Sequence, residues 1–450
     1  LKAGSRPVTR MELKIHNWHL LEPLQRRDLL QRPALRDDGT VQDGVRAIID
    51  HVRKRGNAAL KELTQRYDGV TIETPRVSEA EFAAAERSVP NVAIKAIQLA
   101  IDNVRRFHEA RPPSDYEIET MPGVHCQRIA QPIDAVGLYV PAGSAPLPSA
   151  AVMLTVPAAI AGCPRRVLCT PPRRDGSADP AVLVAARRGG VNDVYKVGGA
   201  QAIAAMAYGT ETILKVNKIF GPGNAWVTAA KTMVAGDADG AAIDMPAGPS
   251  EVLIIADEQA TPEFVAADLL SQAEHGSDSQ VILVTTSQQL AERAISEVKQ
   301  QLALLPRRDI AMAALQSCQI IVAADIADAI AISNEYAPEH LLLQVRDPRA
   351  ALPAIRNAGS VFLGDWSPES VGDYCSGTNH VLPTYGSARS FSGLSVDQFM
   401  RHMTVQELSE DGLRSIAPAV LALAGLEGLD AHAAAVSRRV QPRSDNKAAP

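Results

Sequence analysis

The chain has 450 residues, of which 46% are hydrophobic, enough to build a large buried core in a soluble globular protein of roughly three domains. Lys and Arg number 45 and Asp and Glu 51, giving a formal net charge of −6 without long blocks of one sign. This balance argues against nucleic acids and membrane surfaces as partners and favours small solutes.

The terminal, apolar and cysteine patterns indicate a cytoplasmic protein. The N-terminal residues include no apolar region followed by a small-residue cleavage site, so they do not resemble a secretory signal. The longest apolar stretch, residues 149–163, is shorter than the roughly 20 residues of a spanning helix. Five cysteines without a CxxC pair favour reduced thiols over a disulfide framework or a cysteine-rich zinc site.

Residues 35–118 are predicted to be mostly helical, because Val45, Ile48, Ile49 and Val52 recur at the spacing of one helix face. This pattern is typical of helices that pack against another part of the protein. After residue 394 the chain is rich in Ala and Leu, and two or three further helices are expected there. Such a tail commonly forms a dimer interface.

Between these segments, two blocks alternate short β-branched runs with alanine-rich helical patterns. The first begins near residue 133 with IDAVGLYV, and the second runs from EVLIIAD (251–257) to SVFLG (360–364). Strands that are apolar on both faces and separated by helices predict parallel sheets covered by helices. The predicted fold is therefore α/β, with two doubly wound, Rossmann-like domains and helical N-terminal and C-terminal extensions. The blocks are similar in length and order, but no residue-level repeat is visible.

The stretch DLLSQAEHGSDSQ (268–280) places Gln272 and His275 three residues apart at the end of a predicted helix. Thr261 is the expected N-cap of this helix, and Pro262 suits its first position. A pair at i and i+3 can offer two donor atoms to one metal ion, although glutamine is an uncommon zinc ligand. The alternative is a polar turn that binds nothing.

Glu339 and His340 precede an apolar strand in the stretch NEYAPEHLLLQV. A carboxylate and an imidazole are the usual pair for proton transfer near neutral pH. At a transition from loop to strand both can reach a cleft at the sheet edge. An ordinary solvated turn is the equally weighted alternative.

The long polar loop 364–386 contains Asp373, Asn379 and His380. Long loops without secondary structure are often functional. Asp373 can complete a metal site of nitrogen and oxygen donors with Gln272, His275 and a histidine of the tail such as His432, and such a donor set suits zinc or another divalent ion.

A GxGxxG dinucleotide fingerprint is absent from the sequence. KVGGAQAIAA (196–205) and FGPGNAWVTAA (220–230) nevertheless place glycines just before helices, where N–H groups can bind phosphate. Ordinary tight turns explain them equally well.

Taken together and in order, GPGNAWVTAAK, DMPAGPSEVLIIAD, LLSQAEHG, NEYAPEHL and GDYCSGTNHVLPT resemble the histidinol dehydrogenase family. The resemblance runs from about residue 15 to 440. It implies oxidation of L-histidinol through L-histidinal to L-histidine with two NAD, and one zinc ion per site. It also implies an intertwined homodimer in which the tail of one subunit reaches the site of the other.

Site residues follow by position from the matching motifs. The resemblance implies zinc ligation by Gln272, His275, Asp373 and His432. It implies catalysis by Glu339 and His340, and NAD contacts from Tyr139, Gln201 and Asn224. For the substrate it implies contacts from Ser250, Gln272, His275, His340, Asp373, Glu427 and His432.

The expected domain organisation completes the prediction. Residues 1–34 are an N-terminal extension, 35–138 with 251–394 a discontinuous α/β domain that carries the catalytic and metal residues, 139–250 an NAD-binding α/β domain, 395–441 a helical dimerisation tail, and 442–450 disordered. Two other functions stay open: a zinc hydrolase that cleaves an amide with Glu339 as base, and a metal-binding scaffold without catalysis. Formation of NADH from histidinol and NAD would separate all three.

Overall fold

The computed structural model describes residues 13–32, 39–110, 113–142, 145–245 and 248–441. Contacts divide them into two units. The larger contains the described residues up to Ala110 together with Ile133–Phe399, and the smaller contains those of 111–132 and 400–450. The prediction that residues 442–450 are disordered lies outside the described residues.

Helices and strands alternate along most of the chain. Before residue 133 they are β1 (Ile15–Asn17), α1 (Pro23–Leu29), α2 (Thr40–Tyr67), α3 (Glu79–Ser88), α4 (Asn91–Glu109), β2 (Tyr116–Met121) and β3 (Val124–Pro132). From there to residue 243 they are β4 (Ala135–Tyr139), α5 (Pro148–Ile160), β5 (Arg165–Thr170), α6 (Pro180–Arg188), β6 (Asp193–Lys196), α7 (Gly199–Tyr208), β7 (Lys218–Phe220), α8 (Ala225–Ala235) and β8 (Ala242–Ile243). The next block comprises β9 (Glu251–Ala256), α9 (Pro262–Ala273), β10 (Gln280–Thr285), α10 (Gln288–Leu302), α11 (Arg308–Ala314), β11 (Gln319–Val322), α12 (Ile326–Tyr336), β12 (His340–Gln344), α13 (Pro348–Ala351), β13 (Ser360–Leu363) and α14 (Glu369–Tyr374). The last are β14 (Met400–Leu408), α15 (Glu410–Leu426) and α16 (Asp430–Val440).

The larger unit contains two parallel sheets, which confirms the predicted fold class. One has five strands in the order β6-β5-β4-β7-β8, and the other has six in the order β1-β11-β10-β9-β12-β13. Apart from β1, which lies at the edge of the six-stranded sheet, the chain starts each sheet near its centre, at β4 or β9, adds strands on one side and then crosses to the other. The positions where it crosses, between β4 and β7 and between β9 and β12, are topological switch points.

Strand β9 shows why these runs become buried central strands. All six of its residues are buried, and the side chains alternate between two cores. Val252 and Ile254 pack with the helices on one face, and Leu253 and Ile255 pack with those on the other. Because full burial of one such side chain contributes about 2 kcal/mol, an apolar residue is favoured at every position of the strand.

Helix α2 packs against α7 and α8, the helices that accompany the five-stranded sheet. Val45, Ile48, Ile49 and Val52 share a core with residues of α7 and α8, which confirms the amphipathic pattern. This packing differs from the predicted grouping of 35–138 with 251–394, because the helix covers the other block. The N-terminal extension also supplies strand β1 to the edge of the six-stranded sheet. The domain boundaries themselves stay a prediction.

A glycine bends α2. Gly56 has a φ of 48°, a left-handed value that glycine adopts without steric cost. The next amide, Asn57 N–H, donates to the Glu211 carboxylate at 2.7 Å. The Glu211 side chain therefore accepts a hydrogen bond from a backbone amide at the point where the regular helix is broken.

The smaller unit consists of a three-stranded antiparallel sheet, in the order β14-β3-β2, and the helix pair α15 and α16. Strand β14 corrects the expectation that the tail is purely helical. Residues 400–408 pair along their whole length with β3, and only the long-range pairing reveals them as a strand.

Among the described residues, no helix is both long and apolar enough to cross a bilayer. The apolar stretch 149–163 mostly forms α5, which has 13 residues and is buried inside the protein. All five cysteines are free, and Cys163, Cys169 and Cys318 are buried, as expected.

Asp68, at the C-terminal end of α2, is predicted to make stability depend on pH. Burial raises the pKa of its carboxyl from 3.8 to about 6, and its Oδ2 has no hydrogen-bond partner among the described residues. The folded state therefore holds this proton more tightly than the unfolded chain. The contribution of the Asp68 carboxyl to the free energy of unfolding is largest below about pH 4 and declines as the pH rises to about 6. Above that pH it no longer changes.

We expect Asp68→Asn to be about 1–2 kcal/mol more stable than the wild type near pH 8, with solvent screening of the partly exposed carboxyl taken into account. Near pH 4 the two should be similar. Urea unfolding at both values measures the difference, and Asp50→Asn, an exposed position of the same helix, is the control. A difference between Asp68→Asn and wild type that is unchanged between the two pH values would contradict the prediction.

Candidate functional site

Glu339 and His340 lie at the amino end of β12 and are 5% and 2% exposed. This burial excludes the solvated turn that the sequence left open. The main chain of one residue, Glu251, contacts both side chains. Its N–H donates to Glu339 Oε2 at 2.8 Å, and its carbonyl lies 3.1 Å from His340 Nδ1. The first residue of β9 therefore holds two adjacent side chains of the neighbouring strand.

The contact with the Glu251 carbonyl determines the protonation of His340. A carbonyl only accepts hydrogen bonds, so Nδ1 carries the hydrogen and, in the neutral ring, Nε2 keeps its lone pair. Burial lowers the pKa of His340, which favours this neutral form. Nε2 is buried and has no hydrogen-bond partner among the described residues. His340 is thus arranged to accept a proton.

An acidic group lies beside this pair. Asp373 Oδ1 is 3.7 Å from His340 Nε2, and Asp373 Oδ2 is 3.9 Å from His275 Nε2. Glu369 Oε1 is 3.7 Å from His340 Nδ1. One donor atom each from His275, Glu369 and Asp373 lies within 4.8 Å of the others, close enough to hold a metal ion. The predicted ligands His275 and Asp373 therefore come together.

Unpartnered polar atoms indicate that this group is built to bind something. Gln272 is fully buried, yet neither its amide oxygen nor its amide nitrogen has a hydrogen-bond partner among the described residues. The same holds for both carboxylate oxygens of Glu369 and for Nε2 of His380. Leaving one buried polar group unpaired costs about 1–3 kcal/mol, so a bound cation or polar ligand is the physical explanation for several together.

The carboxyl groups at the site have perturbed acidities. Burial, together with the charges of Asp373 and its other neighbours, raises the pKa values of Glu339 and Glu369 well above their usual range. A cation among these groups would lower them again, because it stabilises the carboxylates. A close set of buried carboxyl groups with raised pKa values is typical of a functional site.

Helix α9 presents the QxxH pair much as predicted. Thr261 is its N-cap, although without a side-chain capping bond, and Pro262 is its first residue. The helix ends at Ala273, so Gln272 lies in its last turn and His275 in the turn beyond, where 39% of the side chain is exposed. The buried glutamine and the more exposed histidine therefore lie at one end of the same helix, and the histidine belongs to the acidic group.

Asp373 lies in a segment that was expected to be an irregular loop. Residues 369–374 instead form the short helix α14, which carries both Glu369 and Asp373. The buried Asp268, one turn before Gln272, accepts a hydrogen bond from the backbone N–H of Glu369, and a second at 2.6 Å from Gln344. Asp268 thus links the two helices that carry Gln272 and Asp373.

The predicted cofactor residues lie at the carboxyl edge of the five-stranded sheet. Tyr139 ends β4, Gln201 is in the first turn of α7, and Asn224 caps α8 by accepting the Val227 N–H at 3.1 Å. Tyr139 and Asn224 flank the switch point between β4 and β7. This is where doubly wound sheets bind ligands, whereas the Glu339–His340 pair uses the amino edge of the other sheet.

A buried ion pair shapes the glycine turn before α8. Lys231 Nζ contacts Asp244 Oδ1 at 2.5 Å and donates to the Gly221 carbonyl at 2.8 Å, while Asp244 Oδ2 accepts the Gly221 N–H at 2.8 Å. Gly221 has a φ of 121°, and a Cβ there would overlap the carbonyl oxygen of Tyr139. The turn therefore requires glycine at this position. Glycine is also common where a ligand approaches the backbone closely.

The remaining predicted residues are less constrained. Ser250 is half-buried, directly precedes Glu251, and accepts the Gln280 N–H at 3.0 Å through its carbonyl. Glu427 and His432 are exposed and belong to the smaller unit, at the end of α15 and on α16. Since that unit is described by itself, their role at the site stays a prediction.

Sequence reasoning missed Glu251, Glu369 and Arg32. Glu251 had a visible signal, because it is a charged residue that opens an otherwise apolar strand. Arg32 had none, since its importance comes from a contact with Glu251, 219 positions away. Glu369 was hidden in a segment expected to be irregular.

Comparisons with known proteins identify the family of this chain. The sequence model of the histidinol dehydrogenase family matches residues 30–440. A histidinol dehydrogenase from Xanthomonas axonopodis pv. citri is 56% identical over 428 residues, which cover 95% of this chain and 99% of the relative. One from Vibrio cholerae is 53% identical over 424 residues, covering 94% and 97%. The crystal structure of histidinol dehydrogenase from Elizabethkingia anophelis superposes with a TM-score of 0.91 at 46% identity, covering 96% of this chain and 98% of that one.

Proposed function

Because the chain belongs to the histidinol dehydrogenase family, we propose that it oxidises L-histidinol through L-histidinal to L-histidine, with NAD as the oxidant and zinc at the metal site. The observation that carries this proposal is the arrangement of His340. Its buried Nε2 carries no hydrogen in the neutral ring and has no hydrogen-bond partner among the described residues, and the ring lies beside Glu339 and a group of side chains that can hold a metal ion. This is the base that removal of a hydroxyl proton requires.

The residues present fit a zinc ion. In this proposal Gln272, His275 and Asp373 hold the metal together with His432. The Gln272 amide, which has no hydrogen-bond partner in the described part of the chain, and the convergence of His275 and Asp373 support the assignment. Zinc, when bound, supplies a fixed attachment point for the amine and imidazole of the substrate, so its main contribution is to position the substrate.

NAD is assigned to the switch-point edge of the five-stranded sheet, with contacts from Tyr139, Gln201 and Asn224. Two helices, α7 and α8, begin there, and their N-terminal ends favour phosphate. The glycine turn at Gly221 lets a ligand approach the backbone closely. These features support an NAD site at this edge, although the usual GxGxxG fingerprint is absent from the sequence.

The two oxidations use the catalytic pair differently. In the first, His340 Nε2 accepts the hydroxyl proton of the substrate, and bound NAD would supply the acceptor for the hydride of the carbinol carbon. In the second, Glu339 accepts a proton from the water that adds to the aldehyde, and His340 returns the proton it took in the first step to the aldehyde oxygen. The neutral His340 then accepts a hydroxyl proton of the hydrate, a second NAD would take up the hydride, and the carboxylic acid is formed.

Formation of NADH tests the proposal. Metal-loaded protein incubated with L-histidinol and NAD should release two NADH for each histidine formed. An absence of NADH would contradict it. The zinc hydrolase and the scaffold, which the sequence left open, are not supported, because the family match covers residues 30–440 and the relatives are dehydrogenases.

A homodimer with shared sites completes the proposal, along with a cytoplasmic location. The smaller unit, which carries Glu427 and His432, exposes large apolar side chains near the end of α15. Leu423 is 60% exposed and Leu426 is 85% exposed. Apolar groups this exposed favour burial against a partner. Each site would then combine the core of one subunit with the tail of the other.

Mixing two inactive variants tests the shared site. Glu339→Gln damages the core and His432→Ala damages the tail, so a hybrid dimer has one site with both defects and one with neither. Random reassortment makes about half of the dimers hybrids and should restore about a quarter of wild-type activity. The measurement is NADH formation from L-histidinal after co-refolding, the step in which each variant alone is expected to be inactive, with native mass analysis to count the hybrids. If hybrids form and the mixture stays inactive, each site lies within one subunit.

A further inference from the structure

We propose that Arg32 is a positioning residue for the catalytic pair: its guanidinium fixes both Glu251, whose main chain holds Glu339 and His340, and the turn that leads into them. The inference rests on the proposed function, which assigns catalysis to that pair. Arg32 contacts neither side chain of the pair through any described bond; it acts through Glu251 and the turn.

Glu251 holds both members of the pair through its main chain. Its N–H donates to Glu339 Oε2 at 2.8 Å, and its carbonyl accepts the bond from His340 Nδ1 at 3.1 Å. The second contact also determines which ring nitrogen of His340 is the base. A displacement of this one residue would therefore move the carboxylate and the imidazole together.

The side chain of Glu251 is fixed by Arg32. Glu251 is fully buried, and Arg32 forms a two-pronged contact with it, through Nε to Oε1 at 2.5 Å and Nη2 to Oε2 at 2.9 Å. The backbone N–H of Tyr385 adds a bond to Oε1 at 3.1 Å. Burial raises the pKa of the Glu251 carboxyl, while the bond and charge of Arg32 oppose this rise. Without Arg32 the carboxylate would lose its only described cationic partner.

Arg32 also holds the turn before β12. Nη2 donates to the carbonyls of Tyr336 and Ala337, at 2.9 and 3.4 Å, and the guanidinium stacks on the Tyr336 ring with its carbon 3.9 Å from the centroid. Ala337 has a φ of 55°, a left-handed conformation that is costly for a residue other than glycine. A strained turn persists only when its surroundings hold it, and Arg32 provides two of those contacts two residues before Glu339.

Only arginine can make this set of contacts. Its planar fork presents several N–H groups in fixed directions, so one side chain can pair with a carboxylate, donate to two carbonyls and stack on a ring. Lysine keeps the charge but not the fork or the flat face. Arg32→Lys therefore tests positioning while it leaves the buried carboxylate a cation.

The experiment compares Arg32→Lys with a matched control, Arg188→Lys. Arg188 makes the same kind of two-pronged contact with Glu86, at 3.2 and 3.3 Å, between α6 and α3. Arg32→Lys should lower kcat for L-histidinol by about 10–100-fold, because misplacing reacting groups by about 1 Å costs this much. Its KM values and metal content should stay within about threefold of wild type. Arg188→Lys should leave kcat unchanged.

Glu251→Gln supplies an independent measurement. If Arg32 acts through Glu251, the double variant should lose no more kcat than the worse single variant, because the two residues act as one unit. Multiplied losses, or a kcat of Arg32→Lys equal to that of Arg188→Lys, would overturn the inference. If Arg32→Lys does not fold, Glu251→Gln decides: an unchanged kcat overturns the inference, and a loss with unchanged KM supports it.

Activity of the wild-type protein distinguishes a failure of the proposed function from a failure of the positioning role of Arg32. If the metal-loaded wild type forms no NADH from L-histidinol and NAD, the proposed function fails. If the wild type turns over and Arg32→Lys turns over equally well, only the positioning role fails.

Discussion

Glu339→Gln is expected to lower kcat for the oxidation of L-histidinal by about 100-fold or more and to change the oxidation of L-histidinol by less than about tenfold. Only the aldehyde step consumes water, and Glu339 is the group assigned to accept its proton. Glutamine keeps the size of the side chain and an oxygen for the Glu251 N–H, a bond of 2.8 Å in the wild type. The measurement is steady-state NADH formation with each substrate separately.

His340→Gln is the companion variant for this prediction. It removes the nitrogen that accepts a hydroxyl proton in both oxidations, so both rates should fall by about 100-fold or more. The contrast between the rate losses of Glu339→Gln and His340→Gln tests the roles assigned to the two side chains. Equal losses in the two steps for Glu339→Gln would show that its carboxylate is not specific to the hydration step.

His275→Asn is expected to weaken zinc binding by at least about 100-fold and to abolish most turnover with it, while the fold survives. His275 Nε2 lies 3.9 Å from Asp373 Oδ2, and its donor atom belongs to the group that can hold an ion. Its side chain is partly exposed and outside the two cores that flank the six-stranded sheet, so little packing is lost. Zinc content after dialysis against a chelator, measured beside activity, checks both effects.

The same substitution at another histidine is the control. His51 lies on α2, where it pairs with Glu62 at 2.9 Å, and it has no part in the metal group. His51→Asn should keep wild-type zinc content and activity. Full zinc occupancy and full activity of His275→Asn after the same dialysis would remove His275 from the ligand set.

The sequence alone determined the local structure. Continuous apolar runs such as β9 are buried on both faces, so they read as central parallel strands, and Pro262 marks the start of α9 at its first residue. The pairs Gln272–His275 and Glu339–His340 were identifiable because each lies within a short motif whose residues are adjacent in the chain. In such cases the physical cause, whether periodicity, capping or local spacing, acts over a few residues.

Only the tertiary structure decided which side chains control the site. Arg32 meets Glu251 across 219 positions, Asp268 meets Gln344 across 76, and strand β14 exists because β3 pairs with it. The tautomer of His340 likewise depends on a carbonyl of the neighbouring strand. These features arise from burial and hydrogen bonding between distant segments, whose free energy depends on which groups meet in the folded chain, and no local pattern specifies that meeting.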